Sequence, residues 1–157
     1  MLSKKGKAIR FKEELVRPMG RTASGVIGMR LKDEDEVVSS DVIGKDQGEL
    51  LIVTEYGRGK RTKIADFPRK GRGGMGVIAA KLTKPRGQIV SATVVDVTDE
   101  VFLISSDGVV IRMAVNTISR QGRPATGVRV MNLGADTSVS AVAPVVGETD
   151  GNQAKLT

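Results

Sequence analysis

The sequence of 157 residues contains no cysteine and no histidine. Their absence excludes disulfide bonds, thiolate nucleophiles, imidazole general bases and zinc sites built on either residue. No apolar run approaches the roughly 18 residues that a membrane-spanning helix needs. The charged residues 1–7 are not followed by the hydrophobic segment of a signal peptide. We therefore expect a soluble protein of the reducing cytoplasm, with no membrane partner.

Aromatic residues are scarce as well, and Phe11, Tyr56, Phe67 and Phe102 are all that the sequence has. Proteins that bind single-stranded nucleic acid stack bases on aromatic platforms, and these few scattered rings cannot build one. Tyr56 has no histidine to activate it, so we expect its ring to pack rather than to act as a nucleophile. No segment shows the period of an amphipathic helix, which favours an all-β fold.

Glycine, by contrast, is abundant, and three glycine-rich turns recur at a constant spacing. Gly20, Gly71 and Gly122 each open a turn that runs into a short apolar segment, and each copy begins 51 residues after the previous one. A fixed period of this size is typical of repeat architectures, in which each copy is one supersecondary unit that packs on its neighbours.

Each repeat carries the pattern of four short strands. An apolar strand precedes a hairpin glycine and a second strand follows it; the third strand comes after the glycine-rich turn, and a fourth closes the unit. Four short strands in about 50 residues is the size of a propeller blade. The predicted segments are 50–54 and 101–105 (first), 7–12 and 109–113 (second), 26–31, 77–82 and 128–133 (third), and 37–43, 89–97 and 139–146 (fourth).

The sequence thus predicts an all-β, β-propeller-like repeat of about three four-stranded blades. The predicted boundaries are 1–45, 46–98 and 99–146, followed by a flexible tail at 147–157. The first blade is expected to lack its opening strand, because only two residues precede Ser3. Three blades are too few to close a ring. We expect either an arc of a larger disc or self-association through open blade edges.

Two motifs point to small ligands, and both are better explained as turns. Residues 71–76 match the dinucleotide-binding pattern G-x-G-x-x-G, but a strand rather than a helix follows, so no helix N-terminus faces a pyrophosphate. The acidic run at 33–36 lacks the glycine and the distal glutamate of a calcium-binding loop. We therefore expect no cofactor and no metal.

The charge is basic and unevenly distributed. The sequence has 25 Lys and Arg against 18 Asp and Glu, a net charge of +7. The middle repeat carries most of the excess, because residues 58–72 are expected to form a basic loop with seven cations that are countered only by Asp66. The candidate DNA-binding residues are Arg58, Lys60, Arg61, Lys63, Arg69, Lys70 and Arg72, flanked by Arg17, Arg21, Arg120 and Arg123.

Glycine next to arginine lets backbone amides approach a phosphate while the guanidinium binds it in bidentate fashion. Three such turns on neighbouring blades predict a basic track that binds the backbone of duplex DNA with little regard to sequence. A solvated rim without a partner is the alternative. Arg10, Arg61 and Arg112 recur in every repeat, which suits a structural ion pair as well as contact with DNA.

These segments resemble the C-terminal domain of the DNA gyrase A subunit. The resemblance covers about residues 1–146, and the paralogous domain of topoisomerase IV is the close alternative. The family's hallmark box, Gln-Arg-Arg-Gly-Gly-Lys-Gly, has its nearest counterpart at 70–76, with differences at three of the seven positions. The matching stretches are 17–21 with 24–29, 57–62 with 71–76, and 108–133.

The resemblance implies a β-pinwheel, a propeller-like disc of usually six blades whose basic rim bends and wraps duplex DNA. In the family, this wrapping supports negative supercoiling by an ATP-dependent type II topoisomerase on the bacterial chromosome. The implied partners are double-stranded DNA, the gyrase B subunit, and the remainder of the gyrase A subunit. The catalytic core with its DNA-cleaving tyrosine is absent here, so we expect no catalysis.

A second hypothesis is a half-propeller that serves as a protein-interaction or assembly module. Residues 100–157 carry no net charge, and open strand edges are ready to pair with another chain. Such a module would form a stable dimer or partner complex and bind DNA weakly at physiological salt.

Overall fold

The computed structural model describes residues 1–44 and 48–145. These residues form eleven β-strands and four short 3-10 turns, and none of them belongs to a helix long and apolar enough to cross a membrane. The all-β prediction is confirmed, whereas the tail predicted at 147–157 lies outside the described residues. The strands are β1 (Leu2–Ser3), β2 (Lys7–Ala8), β3 (Val37–Ser39), β4 (Glu49–Thr54), β5 (Arg58–Lys63), β6 (Val77–Ile78), β7 (Ile89–Val95), β8 (Glu100–Ser105), β9 (Val110–Ala114), β10 (Val128–Arg129) and β11 (Val139–Pro144).

The strands form three antiparallel sheets, in the orders β3-β1-β2-β6, β10-β5-β4-β7 and β11-β8-β9. The first two sheets each take an outer strand from the following repeat: β6 pairs with β2, and β10 pairs with β5. The sequence pattern groups the four strands of one repeat together. In the structure the third strand instead crosses to the preceding sheet, so each blade is completed by its neighbour.

The first repeat differs from the prediction at two places. Its opening strand is present as β1, which pairs with both β2 and β3. The predicted third strand at 26–31 is not a strand. A third strand pairs with the second strand of a preceding sheet, and no sheet among the described residues lies before the first repeat.

Each junction between repeats is built around a hairpin glycine. The carbonyl of Gly6 accepts hydrogen bonds from Ala79 N at 2.8 Å and Ala80 N at 3.3 Å. The carbonyl of Gly57 accepts the equivalent pair from Val130 N at 2.9 Å and Met131 N at 3.3 Å. Gly6 has φ +88° and Gly57 has φ +75°, and a Cβ at either position would collide with the third strand. Only glycine satisfies both conditions.

The core consists of two clusters, one at each junction, and β4 contributes to both. Ile52 packs into the first cluster with Phe67 and Ile89, while Leu51 and Val53 pack into the second. Successive side chains of a strand point to opposite faces, so β4 is buried on both sides. The middle blade therefore lies between its neighbours and joins their cores.

A recurring arginine reinforces each junction. Arg10 donates to the carbonyl oxygens of Ile64 (3.1 Å) and Phe67 (3.2 Å) in the second repeat. Arg61 donates in the same way to Ile118 O (2.6 Å) in the third repeat and forms a buried ion pair with Glu49. The third equivalent, Arg112, pairs with Glu100, and its side chain stays 55% exposed.

This difference predicts unequal effects of one substitution at equivalent positions. Arg61→Met leaves the buried Glu49 carboxylate with only the longer contact to the exposed Arg120 and should lower the free energy of unfolding by about 3–5 kcal/mol. Arg112→Met removes a solvent-exposed pair and should leave the stability close to that of the wild type. Urea denaturation of both variants measures this difference. Equal losses would contradict the role of Arg61 as a buried clamp.

Candidate nucleic-acid interface

The second and third glycine-rich turns each lie against the third segment of the preceding repeat, which directly follows that repeat's own turn. Gly73 N donates to Gly28 O at 2.8 Å, and Arg30 N donates to Gly74 O at 2.9 Å, which joins the first turn region to the second. Lys81 N donates to Pro124 O at 3.3 Å and joins the second to the third. The crossing of the third strands brings the turns together, because each turn leads directly into the strand that crosses. We call this row of turns the basic rim.

Two predicted site residues bind their own glycine-rich turn to the preceding repeat. Arg72 donates to Leu15 O at 3.0 Å and to Ile27 O at 2.5 Å. Arg123, one repeat later, donates to Ile78 O at 3.1 Å. Both guanidinium groups therefore hold the preceding repeat in place, and both residues remain partly exposed on the rim.

Most of the other predicted residues are accessible to solvent. The structure places six of them at exposed positions and Arg58 at a half-buried one. Arg120 lies 3.4 Å from Glu49, so one carboxylate bridges an exposed and a buried arginine. The exposed members are Arg17, Arg21, Lys63, Arg69, Lys70 and Arg120.

Lys60 and Arg61 lie in the interior, and we leave them out of the candidate surface. Residues 58–63, whose composition indicates a basic loop, form β5 between β4 and β10. Lys60 is 1% exposed, and its ammonium group donates to Gly122 O (2.8 Å) and Arg123 O (2.6 Å). Arg61 is 8% exposed and engaged with Glu49. Their charges fix the third glycine-rich turn and the junction, and are not available to a phosphate.

The sequence interpretation missed two exposed cations, Arg30 and Lys81. They occupy equivalent positions 51 residues apart, next to the last residue of the third segment of their repeats. Their backbone amides bond to the following turn, as described above, so both residues belong to the basic rim. The repeat offset was the signal that could have found them.

Among the described residues, no group of three or more acidic side chains is placed to hold a metal ion. The acidic run at 33–36 instead bonds to the hairpin of its own repeat, since Asp35 accepts from Lys5 N at 3.0 Å and Glu36 pairs with Lys4 at 2.7 Å. Tyr56 is exposed, and its ring covers Gly87. These contacts agree with the turn predicted at 33–36 and with the packing role predicted for Tyr56.

Comparison with known proteins identifies the family. A sequence model described as "DNA gyrase C-terminal domain, beta-propeller" matches residues 1–43, 48–96 and 99–145. The chain belongs to the DNA gyrase C-terminal domain family. It is 44% identical over 143 residues to the A subunit of DNA gyrase from Staphylococcus aureus strain MRSA252, and equally to that of Staphylococcus epidermidis strain ATCC 12228. The match covers 90% of this chain and 16% of either relative.

Solved structures agree with this assignment. The gyrase A C-terminal domain superposes with a TM-score of 0.83 at 34% identity, covering 92% of this chain and 49% of that domain. The C-terminal domain of topoisomerase IV superposes with a TM-score of 0.86 at 26% identity, covering 92% and 45%. The β-pinwheel expected from the resemblance is therefore confirmed, and the chain spans about half of either solved gyrase-type domain.

The buried ammonium group of Lys60 makes the stability of this gyrase-type fold depend on pH. Burial, together with the nearby guanidinium of Arg123, lowers the pKa of Lys60 from 10.5 to about 8. Between these values the unfolded chain holds a proton that the folded chain has released, so the free energy of unfolding rises with pH across this window. Below pH 8 both states are protonated, and the cost of burying the charge is fully present.

We expect Lys60→Met to remove this rise. Denaturant unfolding gives the free energy of unfolding of the wild type and of the variant at several pH values between 8 and 10.5. The wild type should gain stability relative to the variant as the pH rises. Lys63→Met on the same strand is the matched control, because Lys63 is exposed. The control should differ from the wild type by an amount that does not change with pH. If the difference in the free energy of unfolding between the wild type and Lys60→Met were equally independent of pH, it would contradict the burial of a charged group at position 60.

Proposed function

We propose that this chain binds duplex DNA along the basic rim and contributes to DNA wrapping by a gyrase-type topoisomerase. The observation that carries the proposal is the alignment of three glycine-rich turns, each with exposed cations, by hydrogen bonds between consecutive repeats. The relatives named above are gyrase A subunits, and a solved gyrase A C-terminal domain has the same fold as this chain. A continuous row of cations can contact successive phosphates along a DNA backbone, whereas one isolated patch cannot.

The chemistry of the rim favours backbone contacts over base recognition. Lysine and arginine side chains neutralise phosphates and release bound counterions. Among the described residues, no helix is available to enter a major groove, and the paired strands of the rim are only two residues long. Binding should therefore be tolerant of sequence and strongly dependent on salt.

Wrapping requires that the contacts outweigh the stiffness of DNA. Bending a short duplex smoothly costs on the order of several kcal/mol, which a row of phosphate contacts must offset. The rigid junctions favour wrapping, because they hold the turns at fixed spacing and leave the DNA to adapt. The chain itself has no catalytic role in this proposal. It acts on DNA in the bacterial cytoplasm, together with the gyrase B subunit, and with the remainder of the gyrase A subunit.

The first test removes two exposed cations whose side chains take no part in the junction contacts described above, by combining Arg21→Gln with Lys70→Gln. Each lost phosphate contact should lower the slope of log K against log salt by about 0.9. The double variant should thus show a slope smaller by roughly 2 and a clearly weaker affinity at low salt. Fluorescence anisotropy with a labelled duplex at several salt concentrations measures both quantities.

The matched control is Lys84→Gln combined with Arg86→Gln, which removes the same charge from the 3-10 turn Lys84–Arg86, outside the glycine-rich turns. If net charge alone attracted DNA, both double variants would lose affinity equally. Equal losses, or binding by the wild type that ignores salt, would contradict the proposed rim.

The second test measures wrapping itself. A nicked circular plasmid is ligated in the presence of the protein and then deproteinised, and its topoisomers are resolved by gel electrophoresis. Wrapping should shift the linking-number distribution in one direction as protein is added. The Arg21/Lys70 variant should give a smaller shift than the Lys84/Arg86 control. A plasmid that is bound but shows no shift would separate DNA binding from wrapping and overturn the second half of the proposal.

A further inference from the structure

Two arginines from different repeats lie directly opposite each other where β10 pairs with β5. Arg129 of the third repeat is the register partner of Arg58 of the second, and we call these two residues the arginine pair. Opposite residues of an antiparallel pair point to the same face of the sheet, with their Cβ atoms about 4.5–5.5 Å apart. Like charges in this position are destabilising. The arginine pair therefore lowers the stability of the protein unless an anion neutralises it.

The described part of the chain supplies no such anion. Neither guanidinium group of the arginine pair has a hydrogen-bond or ion-pair partner there. Other arginines at the junctions differ in this respect: Arg61 is paired with a carboxylate, and Arg123 donates to Ile78 O at 3.1 Å. The two positive charges of the arginine pair are thus left to an external partner.

The crossing of the third strand does not need two cations at this place. The first junction has the same register, with Lys7 opposite Ile78, and each of these residues precedes its counterpart in the arginine pair by 51 positions. A cation and an apolar residue meet there, and the strand crosses in the same way. The second arginine therefore serves a purpose other than the pairing of the two strands.

The arginine pair is accessible from solvent. Arg129 is exposed and Arg58 is half-buried. The first junction shows that this position stays open when the following repeat packs beside it. There Arg123 of the following repeat donates to the carbonyl of Ile78, the equivalent of Arg129, and the Ile78 side chain is still 44% exposed. A ligand can therefore reach the arginine pair in a junction that has its neighbour in place.

The arginine pair also adjoins the basic rim. Arg58 and Lys60 are alternate residues of β5 and point to the same face of the sheet. Lys60 donates to the carbonyl oxygens of Gly122 and Arg123, so the third glycine-rich turn covers this face next to the arginine pair. Burial, and then the positive charge of Arg123, lower the pKa of Lys60 to about 8. The site thus lies among cations, at the end of the row of turns.

We propose that the arginine pair binds one phosphate group of duplex DNA, and this choice of ligand rests on the proposed function. A guanidinium group binds phosphate oxygens through parallel N–H donors. A phosphodiester has two unesterified oxygens that share one negative charge, so each guanidinium group can bind one of them. Because the two arginines belong to different repeats, the bound phosphate replaces repulsion across the junction by attraction. DNA binding thereby strengthens the contact between the second and third repeats.

The stability of the protein without DNA gives the first test. Arg129→Gln removes the repulsion and should raise the urea midpoint at low salt, and this gain should disappear at high salt because exposed charges are then screened. Lys84→Gln removes one exposed positive charge outside the arginine pair and is the matched control, which should change the midpoint little. An arginine with a structural role would lose stability on substitution, so a lower midpoint for Arg129→Gln would contradict the proposal.

Inorganic phosphate tests anion binding at the arginine pair in the absence of DNA. It should raise the urea midpoint of the wild type above the value in sodium chloride of the same ionic strength. General stabilisation by excluded phosphate ions acts on all variants alike, so Lys84→Gln should keep the full rise. Arg129→Gln should keep a smaller part of it. Equal rises in the two variants would contradict an anion site at the arginine pair.

The salt dependence of duplex binding, measured by fluorescence anisotropy, tests whether the two arginines share one phosphate. Arg58→Gln combined with Arg129→Gln should lower the slope of log K against log salt by about 0.9, since one phosphate contact is lost. Arg21→Gln with Lys70→Gln removes two separate contacts and should lower the slope about twice as much. The losses of binding free energy of the two single variants should sum to more than that of the double variant, because either substitution disrupts the same site. Circular dichroism checks that all variants are folded.

The outcomes separate this inference from the proposed function. If the wild type binds DNA with a steep salt dependence and the Arg58/Arg129 double variant behaves like it, the arginine pair is not a contact site for DNA and the proposed function stands. A slope lowered by about 1.8 would mean that the two arginines contact separate phosphates, and would overturn the shared site. A wild type that does not bind DNA would overturn the proposed function, and a phosphate-dependent rise lost in Arg129→Gln would then assign the site to free phosphate instead of DNA.

Discussion

The crossing of the third strand to the preceding sheet is the interaction on which the rest of the structure depends. It requires a hairpin glycine at positive φ whose carbonyl receives two amides of the crossing strand, as at Gly6 and Gly57. A side chain at either glycine would push the crossing strand away. The same crossing buries β4 on both faces, so that this strand contributes side chains to both core clusters. Each sheet that has a crossing strand is completed by the next repeat, so stability arises between repeats rather than within them.

The basic rim is a consequence of the same crossing. A turn that leads into a crossing strand ends beside the third segment of the preceding repeat, and Arg72 and Arg123 hold it there by donating to the carbonyl oxygens of Ile27 and Ile78. The cations of the middle repeat are therefore divided by position. Lys60 and Arg61 stabilise the neighbouring repeat from inside, whereas Arg69 and Lys70 are exposed on the outside.

The sequence predicted the all-β class, the period and the hairpin glycines correctly, because each has a clear local signature. It could not predict which sheet the third strand joins, since hydrophobic alternation marks a strand but not its partner. It also misjudged β5. The segment Arg58–Lys63 contains no large apolar residue, yet four of its six positions are buried, so composition indicated a loop. The hydrogen bonds from these buried cations to carbonyl groups of another repeat cannot be recognised from the sequence of one repeat.

Equivalent residues consequently differ in role according to what lies next to their repeat. Arg10, Arg61 and Arg112 occupy one position of the repeat, and the first two are clamps only because a 3-10 turn of the next repeat lies within reach. Gly25 and Gly108 keep the backbone angles of their equivalents without the contacts that explain those angles elsewhere. The local conformation is therefore set by each repeat on its own, and the interactions are supplied by its neighbour.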